Sequence, residues 1–291
     1  MQPINKILCT TDLSSGSDEA LSLGVKLCLC FDACLLIFHT VVPPRGFVDR
    51  QIEFERGGEK KRMIQLALEK IKKQMGPFDV KWESVVTYGD PVLELSKVAE
   101  KTKPDIIMAA SHGLSLFQQF FMGSVLGPMA KATRHPLLVI PPAKPFSKKL
   151  TSKSEFANII IACSLTKSDT HLKAYATIFS EKFHSKTDLV HVMESPFNQE
   201  VMDSTFAPYE ETQKKLEDKL SARLAQGMPG THHILHGVPG EELAIFAKTH
   251  GIDLIIAGID THPGRIIATT TQSLLDQLPC ALLVVPLEGV E

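Results

Sequence analysis

Chemistry is most legible between residues 109 and 126. There Ala109-Ala110-Ser111-His112-Gly113 ends one apolar run, and Gly123-Ser124-Val125-Leu126 opens the next pattern. A glycine at a strand end gives the backbone torsions closed to other residues. A Gly-Ser pair ahead of a helix starting at Val125 presents unbonded N–H groups and the positive end of the helix dipole, with Ser124 placed to cap it. An anion suits that arrangement, and a phosphate is its natural guest. His112 lies in the same loop, facing either a phosphate or solvent. The segment holds no Gly-x4-Gly-Lys-Ser/Thr, so it is not a P-loop. Glycines that served turn geometry alone would show the same spacing.

Other residues invite chemistry and are better explained without it. Thr231-His232-His233-Ile234-Leu235-His236 puts His232 and His236 on one face of a strand, but no carboxylate or Cys nearby completes a metal-ligand set. Cys28, Cys30 and Cys34 crowd into an apolar run and read as small buried hydrophobes rather than ligands. No Gly-x-Ser-x-Gly elbow supports a Ser-His-Asp triad. Phe117, Phe120, Phe121 and Met122 form an apolar patch ahead of Gly123, either packing beneath the loop or serving as a lid or partner surface. There is no placed general base, no magnesium-binding carboxylate pair and no P-loop lysine, so binding is expected rather than turnover.

The elements that must position these residues are written twice. Lys6-Ile7-Leu8-Cys9-Thr10-Thr11-Asp12 is matched by Asn158-Ile159-Ile160-Ile161-Ala162-Cys163-Ser164, with Asp12 and Ser164 standing 152 positions apart (164 − 12). Leu35 to Val41 is matched by Asp188 to Met193, Tyr88-Gly89-Asp90-Pro91 by His236-Gly237-Val238-Pro239, 104–110 by 252–258, and Leu137 to Pro141 by Leu282 to Pro286. Between the copies, 142–155 is rich in Pro, Lys and Ser and builds no apolar face. The expected organisation is therefore a domain over 1–143, a linker over 144–155 and a domain over 156–291.

Within each copy, runs apolar on both faces alternate with amphipathic helical patterns. Ser14 to Glu19 offers cap residues for a first helix, 58–75 carries one apolar stripe with 210–226 as its counterpart, and Pro91 takes the favoured first position of another. The pattern predicts an α/β fold of two tandem open parallel sheets, about five strands each, sandwiched by helices. Ligands of such sheets bind beyond the carboxyl ends of the strands, where strand order reverses, which directs attention to Asp12 and Ala110.

Composition fits this picture. The 291 residues are 44% hydrophobic and 22% charged, with a formal charge of −2, which excludes a disordered chain and gives no footprint for nucleic acid. No secretory signal is visible, and the most apolar stretch, 27–38, falls short of the roughly 20 residues a membrane span needs. Six cysteines without a disulfide framework agree with a cytoplasmic location.

The residues resemble the universal stress proteins, whose nucleotide-binding members carry Gly-x2-Gly-x9-Gly-Ser/Thr after strand four and an Asp at the end of strand one. Gly113 and Gly123-Ser124 have the nine-residue spacing, Asp12 ends the first run, and His135-Pro136-Leu137-Leu138-Val139-Ile140 closes the copy. The resemblance covers both copies. It implies a Rossmann-like, adenine-nucleotide α-hydrolase-like fold and ATP or another adenine nucleotide as ligand. Asp12 and backbone groups near Val41 would face the adenine, while Gly113, Gly123, Ser124 and Val125 would surround ribose and phosphates. It also implies a pseudo-dimer of the two copies, with a homodimer as a further option. One departure is Ala110, which stands where the motif has its first glycine: its methyl either crowds a nucleotide or is harmless because the backbone needs no positive φ. The second copy departs further. Ser164 replaces the Asp, Thr261 and Thr271-Gln272 replace the later glycines, and Asp260 adds a negative charge that only Arg265 could offset. That copy is expected not to bind ATP in the family manner. The competing expectations are a module that binds an apolar metabolite, a lipid or a protein, and, with less support from the residues, a hydrolase.

Overall fold

A computed structural model describes residues 3–42, 58–111, 123–141, 155–166, 169–193, 214–215, 217–222, 230–260 and 269–287. The chain divides into two compact units, Met1–Leu150 and Thr151–Glu291. In the first, β1 (Lys6–Thr10), α1 (Ser15–Phe31), β2 (Cys34–Val41), α2 (Glu59–Met75), β3 (Trp82–Tyr88), α3 (Pro91–Thr102), β4 (Ile106–Ala110), α4 (Gly123–Thr133) and β5 (Leu137–Ile140) follow in order. The second runs β6 (Asn158–Ala162), α5 (Asp169–Phe183), β7 (Lys186–Met193), β8 (His232–His236), α6 (Pro239–Thr249), β9 (Leu254–Asp260), α7 (Thr269–Gln277) and β10 (Ala281–Leu287). Residues 217–222 are helical, within the 210–226 helix expected from the apolar pattern.

Each unit is an open parallel sheet with strand order 3-2-1-4-5, and in the second unit β8-β7-β6-β9-β10. All residues of β4 and β5 are buried, as the uninterrupted apolar runs require of strands covered on both faces. Local signals explain several boundaries. Asp90 caps α3 by accepting from the N–H groups of Val92 and Leu93, both at 3.0 Å, with Pro91 at the first helical position. Asp32 ends α1 in the left-handed region (φ 55°), its N–H returning to the Cys28 carbonyl.

One acid ties the two central strands at their amino ends. Asp105 Oδ2 accepts from the N–H groups of Asn5 (2.8 Å) and Lys6 (2.9 Å), and its own N–H donates to the Lys6 carbonyl. In the second unit Asp253 Oδ2 accepts from Asn158 N–H at 3.1 Å, and Asp253 N–H donates to the Asn158 carbonyl. The sheets are thus held shut at one end of the switch point, and any opening lies at the other.

The core of the second unit begins at Phe156, which is fully buried and meets the rings of Phe179 and Phe183 edge-on at 5.4 and 5.3 Å. Replacing Phe156 by Ala removes the ring and leaves a cavity, an expected loss of about 3–5 kcal/mol. Urea unfolding of the second unit measures it, and an unchanged midpoint would contradict this description of the core.

Candidate functional site

Strand pairing opens the site. The β1–β4 ladder ends at Cys9 opposite Met108, yet β1 continues with β2 to Thr10 opposite Phe38, and β4 continues with β5 to Ala110 opposite Ile140. The central strands part at their carboxyl ends, at the reversal of strand order, where such sheets hold ligands.

Beyond β1 the chain turns on hydroxyl groups. Leu13 adopts φ +63°, and its N–H donates to Thr11 Oγ1 at 3.0 Å. Thr11 Oγ1 and Ser17 Oγ lie 2.8 Å apart, and the Ser17 hydroxyl donates to the Ser14 carbonyl at 2.9 Å. With the Ser17 proton directed to that carbonyl, Thr11 is the donor between the two hydroxyls. Thr11 and Ser17 are both buried. Half-buried Asp12 accepts at Oδ1 from Ser14 N–H (3.0 Å) and the Ser14 hydroxyl. Ser14 stands at the N-cap position of α1 in extended conformation but makes no side-chain cap bond, because its hydroxyl turns back to Asp12.

His39 backs this loop. Its Nδ1 lies 2.8 Å from the Thr11 carbonyl, which can only accept, so the proton sits on Nδ1. Burial pushes the imidazole below its ordinary value; the bond to Thr11 and the charge of Asp12 oppose that shift, and Lys70 adds to it.

The other expected site residues fall in three groups. Val41 is buried at the end of β2, and its carbonyl accepts Gly89 N–H at 3.1 Å, leaving one lone pair. Ala110 is 8% exposed, lies in regular pairing with Ile140, and is not among the residues with positive φ. The backbone at 110 therefore needs no glycine, and its methyl group is the sole steric departure from the motif there. Gly123, Ser124 and Val125 are the first residues of α4, so Ser124 stands in the first turn and not before it. Their N–H groups lack helical acceptors. Pro128 also has no N–H to return to the Ser124 carbonyl four residues earlier. His112 and Gly113 lie outside the described residues, as do Phe117, Phe120, Phe121 and Met122.

The second unit repeats the backbone and changes the side chains. Leu165 adopts φ +61°, and His191 Nδ1 donates to the Cys163 carbonyl at 2.8 Å, as His39 does to Thr11. Asp169, however, stands where the first unit has Ser17 (169 − 17 = 152) and is fully buried. Its Oδ1 accepts from Ser164 N–H (3.0 Å) and the Ser164 hydroxyl (2.8 Å). The loop carboxylate is half-buried in the first unit and fully buried in the second. Thr271, in place of the motif glycine, is buried and donates to the Gly258 carbonyl at 2.8 Å. The motif glycine that survives, Gly258, is closed off as well: a Cβ there would lie 2.4 Å from Leu287 Cδ1. Thr261 and Arg265 lie outside the described residues.

Sequence reasoning missed the Thr11–Ser17 pair, Asp169 and Leu287. The 152-residue offset that aligned Asp12 with Ser164 also aligns Ser17 with Asp169, so that exchange was available in the sequence. The histidine cluster lies on β8 and at the end of α6: His233 Nε2 is 3.8 Å from Asp188 Oδ2, and its ring is 5.0 Å from that of Phe246. Among the described residues, no group of three or more His, Cys, Asp or Glu is placed to hold a metal. Burial pushes the Cys9 thiol up to about 12 and raises Cys28 further, so neither offers a thiolate near neutrality. No helix among the described residues is long and apolar enough to cross a membrane.

An open five-stranded parallel sheet, with an anion-suited helix start beyond its switch point, defines a Rossmann-like α/β sandwich of the adenine-nucleotide α-hydrolase type. Residues 3–141 and 155–286 each match the model of the Universal stress protein family, and the chain belongs to that family as a tandem of two domains. A universal stress protein of Methanocaldococcus jannaschii is 31% identical over 137 residues, 46% of this chain and 81% of its own length. A second from the same organism is 29% identical over 152 residues, 46% of this chain and 93% of its own. The crystal structure of a universal stress protein from Archaeoglobus fulgidus superposes with a TM-score of 0.68 at 19% identity, covering 99% of this chain and 100% of that one.

The folded state holds His39 neutral more strongly than the unfolded chain does. The unfolded state therefore binds more protons as pH falls below 6.5, and the stability present above that value is lost as pH falls through the folded pKa. Urea denaturation at about pH 7.5 and about pH 5.5 should show a smaller acid loss for His39→Gln than for wild type. Equal losses would remove His39 from the account.

Proposed function

We propose that the first unit binds an adenine nucleotide, ATP being the natural candidate, and that the protein serves the stress response in the cytoplasm by holding the nucleotide rather than turning it over. The observation that carries this reading is the crevice between β1 and β4, with the oriented carboxylate of Asp12 on one side and, following β4, the α4 start, whose first N–H groups have no acceptor within the helix. A carboxylate accepts from the exocyclic amine of adenine, and a helix start accepts phosphate; the two lie on the two strands that flank the switch point. Gly123, Ser124 and Val125 would hold phosphate through N–H groups and the Ser124 hydroxyl, with His112 and Gly113 completing the loop. Val41 would offer its second carbonyl lone pair to the base.

The described residues fit such a guest in the first unit. In the second they fit it poorly, since Asp169 holds Ser164, Thr271 holds the Gly258 carbonyl and Leu287 lies against Gly258. We read that unit as a partner fold without a nucleotide of the family kind. Ala110 favours the competing reading, a site for a smaller apolar guest, because its methyl narrows the crevice.

Isothermal titration with ATP separates the two. Wild type is expected to bind with a dissociation constant below about 1 mM, equivalent to roughly −4 kcal/mol or better. Gly123→Val, which brings a β-branched side chain to the phosphate end, should weaken binding by about tenfold or more, or roughly 1.4 kcal/mol. Absence of ATP binding by wild type would overturn the reading, and unchanged binding by Gly123→Val would overturn the site.

A further inference from the structure

We propose that Ser17 is a positioning residue that turns the Asp12 carboxylate toward the nucleobase, and so sets the preference for adenine over guanine. The proposal rests on the nucleotide reading above, in which Asp12 faces the base. Ser17 need not touch the ligand: it is buried at the third residue of α1, beneath the loop.

Leu13 N–H donates to Thr11 Oγ1, Thr11 to Ser17, and Ser17 to the Ser14 carbonyl. Ser14 in turn holds Asp12 Oδ1 through both its N–H and its hydroxyl. Ser17 is thus the link that joins the strand end to the residue that orients the carboxylate. Removing the Ser17 hydroxyl takes the buried Thr11 hydroxyl's acceptor away and leaves the Ser14 carbonyl with the longer Ser17 N–H bond, 3.2 Å, in place of the hydroxyl bond at 2.9 Å.

The second unit is the natural variant. Its backbone takes the same turn, with Leu165 at φ +61° and His191 bonded to the Cys163 carbonyl. At the Ser17 position it carries Asp169, which draws in the N–H and hydroxyl of Ser164. With a serine at this position the strand-end carboxylate is held, in this chain of bonds, by Ser14; with a carboxylate at this position the strand-end residue is a serine that donates to it. The residue five positions beyond the strand-end residue therefore decides whether the loop has an acceptor to show a base.

The consequence for specificity is chemical. Adenine presents an amine where guanine presents a carbonyl oxygen, so a fixed carboxylate accepts from the first and opposes the second. A site built for a hydrogen bond rejects the analogue that lacks it only while its own group stays in place.

Titration of the full-length protein with ATP and with GTP gives the ratio of the two dissociation constants. Wild type is expected to favour ATP, and Asp12→Asn to lose that preference. Ser17→Ala should reduce the ratio by about fivefold or more, in line with one hydrogen bond to a charged group, and Ser17→Thr, which keeps the hydroxyl, should restore it. A Ser17→Ala protein that weakens ATP and GTP equally, or keeps the wild-type ratio while Asp12→Asn loses it, overturns the positioning role and leaves the nucleotide reading standing. No ATP binding by wild type overturns both. Should circular dichroism show Ser17→Ala unfolded, Ser17→Asp replaces it, since the second unit folds with a carboxylate there. Loss of ATP preference supports the proposal, and an unchanged ratio overturns it.

Discussion

Where two parallel strands stop pairing, the backbone N–H and C=O groups at the gap still need partners, and what supplies them decides whether the gap can take a ligand. β1 leaves β4 after Cys9, and β6 leaves β9 after Ile161. In both units an acid fastens the opposite end, Asp105 in one and Asp253 in the other, so the parting is confined to the carboxyl ends. At those ends the units diverge. The first uses the hydroxyls of Thr11, Ser14 and Ser17 to satisfy the turn, with the Asp12 carboxylate half-buried and held by Ser14. The second uses the carboxylate of Asp169 for the turn itself.

The same contrast appears across the crevice. In the first unit β4 ends at Ala110, and the first N–H groups of α4 have no acceptor within the helix. In the second unit Thr271 donates back to Gly258, and Leu287 lies against Gly258. Backbone geometry is nearly constant between the copies, down to the left-handed leucines and the strand histidines, while side-chain chemistry has inverted. Fold and site are therefore separable: the duplication keeps what holds the sheet together, while side chains at a few strand-end positions differ between the copies.

Much of this was legible in the residues. Four matched apolar runs in each copy fall on strands of the sheets, the matched turns at Gly89 and Gly237 close the remaining strand of each, and Asp90-Pro91 and Val238-Pro239 stand at the starts of α3 and α6. The helix after Gly123 begins with that glycine rather than at Val125, because a Gly-Ser pair takes helical torsions as readily as cap torsions when what precedes it permits. The cap residues before α1 were recognised as such, but composition alone does not say which hydroxyl bonds where. Ser14 caps nothing through its side chain and orients Asp12 instead. The contact of Leu287 with Gly258 was invisible in the residues because it depends on β10 running two residues beyond Val285, the strand partner of Gly258. The meaning of Ala110 needed the backbone torsion, which only the structure gives: the position is regular strand, so a glycine there would serve close approach rather than an unusual φ.

The central claim is an asymmetry between two copies of one fold, and counting bound nucleotides tests it most directly. Native mass spectrometry of the full-length protein with excess ATP, read beside Asp12→Asn, gives that count. The account predicts one adenine nucleotide per chain for wild type and markedly less for the variant. Two per chain, or one per chain that is indifferent to Asp12, would contradict it.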